Sequence, residues 1–239
     1  MAGHSRWAQI KHKKAVLDQK KGQLFSKLAN EITIAVKEGG KDPEGNFRLK
    51  AAIEKAKSYG MPQQNIERAI KRGSGEIDFG SLEECFYEIY GPSGVAILVK
   101  AITDNKNRTT SEIKGILNKF GGKLAESGSV KWVFKEQGVI ILDKNFFDEN
   151  LELKFIELGA NEIRSNENIE VYFDIENFSN FKKFLDENKE LRDNFKIDIS
   201  FIPNSYIEIS EESKEKLKKL LEALDEQNEI EDIYFNTLI

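Results

Sequence analysis

The residues best suited to chemistry lie in the first 28, MAGHSRWAQIKHKKAVLDQKKGQLFSKL. Arg6, Lys11, Lys13, Lys14, Lys20, Lys21 and Lys27 stand there against a single acid, Asp18, with Trp7, His4 and His12 interleaved. Cations suit phosphates, and aromatic or imidazole planes suit unstacked bases, so this stretch points to contact with a nucleic acid. Lys11, Lys13 and Lys14 are too close in sequence to share one narrow helical stripe. They give a broad field fit for a phosphate backbone rather than a fixed reader of base edges. Trp7 has no apolar period around it, and it either stacks on a base or tucks back onto the folded chain. A solvated basic arm without a partner is the plainer alternative.

A second candidate is the stretch Thr103-Asp-Asn-Lys-Asn-Arg108-Thr109. Asn, Asp and Thr are what a strand-to-helix turn requires in any case. Lys106 and Arg108 are not needed for the turn, and at a helix N-terminus they could join its free N–H groups in holding an anion such as phosphate. Catalytic constellations are poorly supported: the chain has no GxSxG, HExxH or phosphate-cradling glycine loop, and no Cys/His nucleophile pair. Its one cysteine, Cys85, and its two histidines cannot assemble a zinc site of the usual kind. No catalytic residues, metal, cofactor or small-molecule substrate are therefore expected, and Cys85 reads as a small buried residue.

These candidates sit in a chain of 239 residues with a net charge of −5 and an isoelectric point near 5.4. The balance is uneven. Residues 1–75 carry 16 Lys and Arg against 7 Asp and Glu, a net of +9, which leaves −14 on residues 76–239. Such a split marks a nucleic-acid-facing module joined to a body with another task. The longest apolar run, Val95–Val99, is far too short to cross a bilayer, and the polar N-terminal stretch has no apolar signal segment, so a cytoplasmic location without membrane contact is expected.

The elements that must position these residues follow from periodicity. Leu24, Phe25, Leu28, Ile32, Ala35 and Val36 form one helical stripe over residues 22–38. A second helix follows the Asp42-Pro43 start signal and stops at Gly60; a third opens at Pro62 and closes at Gly73. Three short amphipathic helices can bury their stripes only against one another. From residue 84 the period becomes that of strands. Phe86–Tyr90 and Val95–Thr103 flank a hairpin loop, and Thr109 with Glu112 forms a capping box for a helix bearing Ile113, Ile116, Leu117 and Phe120. Val130, Trp132 and Phe134 alternate as a third strand. Residues 138–201 contain a full βαββαβ cycle, the ferredoxin-like arrangement. After it come a strand at Ile207 and Ile209, a leucine-rich helix and a last strand at Ile233 and Phe235. The expected fold is α+β: a basic arm and three-helix bundle over 1–75, a split α/β domain of 76–136 plus 203–239, and a ferredoxin-like domain of 137–202 inserted in it.

The N-terminal 28 residues resemble the opening of the YebC/PmpR family. The resemblance continues in GGKDPEGNFRLKAAIEKAKSYGMPQQNIERAIKRGSGE (39–76), YGPSGVAILVKAITDNKNRTTSEI (90–113) and GSVKWVF (128–134), and weakens after about residue 140. It implies a helical domain followed by two α/β domains. It also implies a DNA-binding transcriptional regulator or, as in a mitochondrial relative that activates translation, a ribosome-associated factor assisting elongation through stretches such as consecutive prolines. The partner would then be DNA, or ribosomal and transfer RNA. An adaptor that engages proteins through its acidic α/β domains is a third reading, and the sequence leaves the oligomeric state open.

Overall fold

The computed structural model describes residues 18–77, 82–188, 190–191 and 194–239, with side chains of the first helix from Gly22 onward. Among these residues it is an α+β fold of seven α-helices and two four-stranded antiparallel sheets. The first three helices are α1 (Asp18–Gly39), α2 (Phe47–Ser58) and α3 (Gln63–Gly73). Leu28, Ile32, Ala35 and Val36 of α1 meet Leu49, Ala52, Ala56, Ile66 and Ala69 in one core. The second helix begins later than the Asp42-Pro43 signal predicts because Asn46 is the better cap. Its side chain accepts from the Leu49 N–H at 3.0 Å and donates to the Ala35 and Gly40 carbonyls, so one buried amide starts α2 and closes α1. Gly73 lies so close to α1 that an added Cβ would meet the Thr33 carbonyl oxygen at 2.5 Å.

The first sheet has the order β3-β1-β2-β8, from β1 (Glu83–Tyr90), β2 (Ala96–Thr103), β3 (Lys123–Leu124) and β8 (Ile230–Phe235). Helices α4 (Lys106–Phe120) and α7 (Glu211–Asp225) cover one face, where Leu217, Leu220, Leu221 and Leu224 pack with Ile113, Leu117, Ile97 and Val99. The second sheet, β5-β6-β4-β7, is built from β4 (Phe134–Leu142), β5 (Ala160–Ser165), β6 (Ile169–Phe173) and β7 (Phe195–Pro203). Helices α5 (Glu149–Glu157) and α6 (Phe178–Glu187) cover it in the βαββαβ order read from the sequence. Gly138 in β4 leaves room for the Phe173 ring, which an added Cβ would meet at 2.2 Å.

Three expected elements differ. Val130–Val133 is not a strand: Lys131–Val133 is a 3-10 turn, and Phe134 opens β4 of the second sheet, whose strands come from residues 134–203. Ile207 makes a single parallel bridge to Thr237 rather than a strand. Helix α4 starts before Thr109, because Asn105 caps it by accepting from the Arg108 N–H at 3.1 Å; the Thr109 hydroxyl turns inward to Thr103 instead.

The uncovered face of the first sheet meets β4 and β7 in an aromatic seam. Phe86 and Tyr234 pack on Phe201 at centroid distances of 5.3 and 5.2 Å, with Leu98, Val130 and Phe134 around them. The helical bundle closes one end of this seam through ion pairs. Lys55 of α2 lies 3.2 Å from Glu31 of α1, 3.5 Å from Asp198 of β7 and 3.3 Å from Asp232 of β8. Lys100, on the seam face of central strand β2, joins Glu31 and Glu84 at 3.4 Å each, and Arg48 reaches Glu84 at 3.1 Å. Burial alone would push the Lys55 ammonium down, but Asp198, Asp232 and Glu31 hold it well above its ordinary value.

Removing one partner of a buried ion pair typically costs about 3–5 kcal/mol, because the remaining charges stay desolvated. Lys55→Met should therefore destabilise the chain by about that amount in chemical denaturation, while Lys57→Met, at an exposed pair with Glu54, should cost no more than ~1 kcal/mol. Equal losses would show that the junction is not a stability centre.

Glu231, beside the same network, predicts a pH effect of opposite kind. Burial first, then Glu31 and Asp232, push its carboxyl from 4.5 up to about 8 against the pull of Lys27 and Lys100, and its Oε1 has no hydrogen-bond partner among the described residues. A carboxyl raised on folding contributes stability below its unfolded pKa and loses it as pH rises through the folded one. Glu231→Gln should thus raise the melting temperature above pH 8 and leave it unchanged near pH 4.5. A gain of the same size at both would remove the titration argument.

Candidate nucleic-acid interface

Most of the basic stretch precedes the described structure. Arg6, Trp7, Lys11, His12, Lys13 and Lys14 lie outside the described residues, and so do the side chains of Lys20 and Lys21, whose backbone begins α1. Lys27 is described and corrects an expectation. It is only 8% exposed, and its Nζ donates to the Asp225 carbonyl at the end of α7 at 3.2 Å. That ammonium ties the bundle to the first sheet's helical layer and offers little surface to a phosphate.

Lys106 and Arg108 occupy the first turn of α4, with both side chains on the surface. Arg108 does not wait for an anion: it donates to Asp104 and Glu229 at 2.7 Å each, and these two carboxylates raise its pKa. They also offset the unfavourable placement of a cation at the positive end of the helix dipole. A phosphate there would have to displace at least one carboxylate, which leaves Lys106 as the more open cation of the two.

The bundle supplies cations that the basic arm had overshadowed. Arg68, Lys71 and Arg72 follow the i, i+3, i+4 spacing and share one side of α3, while Ile66 and Ala69 face the core. Arg68 and Lys71 are exposed and make no ion pair among the described residues, unlike Lys41, Lys50 and Lys57, which pair with Glu76, Glu44 and Glu54. Burial first, and then the neighbouring Arg68 charge, lower the Arg72 pKa. The amphipathic pattern of IERAIKR is legible in the sequence, where Ile66 and Ala69 mark the buried stripe; the structure adds that Arg68 and Lys71 stay exposed and outside the bundle's ion pairs.

The ion-paired junction is closely packed. The cavity at the three-way junction, lined by Glu31, Arg48, Glu84, Lys100 and Asp198, measures about 30 Å³, room for about one water. Cys85 is buried, and burial raises its thiol pKa, so it is not primed as a nucleophile. Among the described residues no helix is long and apolar enough to cross a membrane.

The α3 face yields its own prediction. The double change Arg68→Glu with Lys71→Glu should leave the melting temperature within a few degrees of the parent, because both side chains are exposed. It should weaken binding to a short duplex at low salt and reduce the log–log salt slope by about 1–2 units. An unchanged slope would exclude α3 from the interface.

Residues 5–76 match the family described as TACO1/YebC protein N-terminal domain, and residues 82–237 match TACO1/YebC second and third domain. A "Probable transcriptional regulatory protein" of Natranaerobius thermophilus is 46% identical over 241 residues, covering 99% of this chain and 96% of that protein. One of the same name from Persephonella marina is 47% identical over 240 residues, covering 99% and 95%. The crystal structure of a conserved hypothetical protein from Aquifex aeolicus aligns with a TM-score of 0.82 at 42% identity, covering 97% of this chain and 96% of that one.

Proposed function

The chain belongs to the TACO1/YebC family, and from that premise we propose that it is a non-enzymatic regulator of gene expression that binds nucleic acid through residues 1–75. The observation that carries this reading is the charge division, +9 on residues 1–75 against −14 on the remainder. Phosphate neutralisation supplies most of the affinity of such a surface, and the acidic body as a whole repels the same polyanion, so the main contact falls on the arm and bundle. The names of the relatives support regulation of transcription, which makes DNA the first partner to test.

A second reading, an RNA partner on the ribosome, is favoured by the kind of basic residue present. With Lys27 set aside, five of the six cations Arg6, Lys11, Lys13, Lys14, Lys20 and Lys21 are lysines. Lysine meets phosphate as a point charge, whereas a sequence reader needs side chains aimed at base edges from a fixed element. A narrow basic arm also enters a crowded RNA surface more readily than an acidic body wraps a duplex.

Log affinity should fall with log salt by roughly 0.9 per duplex phosphate contacted, or about 0.7 for single strands. Changing Lys11, Lys13 and Lys14 together to Ala should reduce that slope by up to about 2–3 units. Lys183→Glu, at an exposed position of α6, should not change it. Lys182 is unsuitable as a control because it is buried between Glu54 and Asp186. A slope indifferent to the three lysines would move the site away from the N-terminus. Footprinting of one promoter over excess random DNA, lost on deleting residues 1–20, would support the transcriptional reading; co-sedimentation with ribosomes, lost on the same deletion, would support the RNA one.

A further inference from the structure

We propose that the loop 128–133 presents Trp132, with Tyr90 and Lys123 beside it, as a stacking site for an unpaired base of a nucleic-acid strand. The site lies outside residues 1–75 and rests on the nucleic-acid reading above, to which it adds a second contact on the otherwise acidic body. Trp132 is 71% exposed, the most exposed large hydrophobic side chain among the described residues. Leaving an indole in water forgoes the burial that such a side chain gains elsewhere in a fold.

The loop that holds it is not slack. Glu88, itself buried on the seam face of β1, accepts from the Gly128 and Val130 N–H groups at 2.6 Å and from Lys131 at 2.7 Å. From the other side, Asn204 donates its side-chain amide to the Trp132 carbonyl at 3.1 Å and its backbone N–H to the Val133 carbonyl at 2.8 Å. The indole Nε1 and the Tyr90 hydroxyl both donate to the Ser129 carbonyl, at 2.9 and 3.2 Å. One oxygen thus pins the polar edges of two exposed rings side by side and satisfies their hydrogen bonds, which leaves ring surface as what they can offer a ligand.

The surrounding charge favours a phosphate-bearing occupant. Residues 119–135 contain four lysines and one acid, Glu126, inside a body that is otherwise strongly acidic. Three of these lysines are engaged: Lys119 rests over the Phe120 ring, Lys131 over Phe86, and Lys135 pairs with Asp174. Lys123 stands directly opposite Tyr90 in the β1–β3 register, on the same face of the sheet, and makes no ion pair among the described residues. Two rings and one ammonium suit a base and its phosphate. They are too little apolar surface for the core of a stable protein interface.

Trp7 and Trp132 are the only tryptophans, so in a Trp7→Phe chain all indole emission reports on Trp132. Titrating that chain with a short oligouridylate, and separately with oligothymidylate, at low salt should quench the emission saturably. Adding Trp132→Ala should weaken binding by roughly 5- to 100-fold with the melting temperature unchanged, and Trp132→Phe should restore part of the affinity. A merely structural indole would not be quenched by the strand. If both oligonucleotides bind with a steep salt slope but neither quenches, and Trp132→Ala binds equally well, the inference is overturned while the function proposed above stands. Failure of the full wild-type chain to bind any strand at low salt would overturn both.

Discussion

The arrangement of the whole molecule turns on one desolvated ammonium. Lys55 faces Glu31, Asp198 and Asp232, and these carboxylates come from the bundle and from both sheets. A hydrophobic contact tolerates sliding, but an ion held in a low-dielectric interior does not, because each ångström of separation leaves charge uncompensated. The pairs reaching through Lys100, Glu84 and Arg48 extend the same requirement across β1 and β2. Replacing such clusters by apolar residues is often neutral for stability, so what this one supplies is position. It defines where a basic helical module sits on an acidic body, and Lys27 on Asp225 and Lys182 on Glu54 add ties in two further directions.

Periodicity was enough to read the three helices, the hairpin and the βαββαβ cycle, because each depends on a stripe or an alternation written locally. The failures share one cause, competition between local signals that only tertiary contacts decide. Thr109 and Glu112 satisfy the capping pattern, yet Asn105 caps the helix because Thr109 is drawn inward by Thr103. Val130, Trp132 and Phe134 alternate as a strand would, yet Glu88 gathers the N–H groups of this stretch and prevents a ladder until Phe134. Lys100 directly follows the apolar run Val95–Val99 in the sequence, and in the fold it is a seam residue whose charge is met by Glu31 and Glu84 from elsewhere in the chain. Pairings at such sequence separations leave no local trace.

The candidate site was legible as a charge asymmetry and less so as individual residues. Counting charges located the basic module, but Lys27 and Lys55 are counted as basic and are both spent inside the protein. The cations left outward on α3, Arg68 and Lys71, were hidden among ordinary helix-surface residues. Net charge therefore overstates the field that a partner meets, and the useful quantity is charge that no internal carboxylate already holds.

Two features of opposite kind stand at the two ends of the aromatic seam. The bundle closes it where Glu84 and Arg48 meet; Trp132 and Tyr90 close it at the far end of β1, six residues on, or about 20 Å along an extended strand. The strand between them is held in the register of a four-stranded sheet and packed on both faces, so the spacing behaves as a rigid one. When two weak contacts are joined by a rigid spacer that matches the ligand, the second forms at high effective concentration, and their free energies combine without a further entropic cost of association. On the nucleic-acid reading proposed above, a strand held by the basic module that also splays a base toward Trp132 would gain in this way, and a duplex too stiff to do so would not.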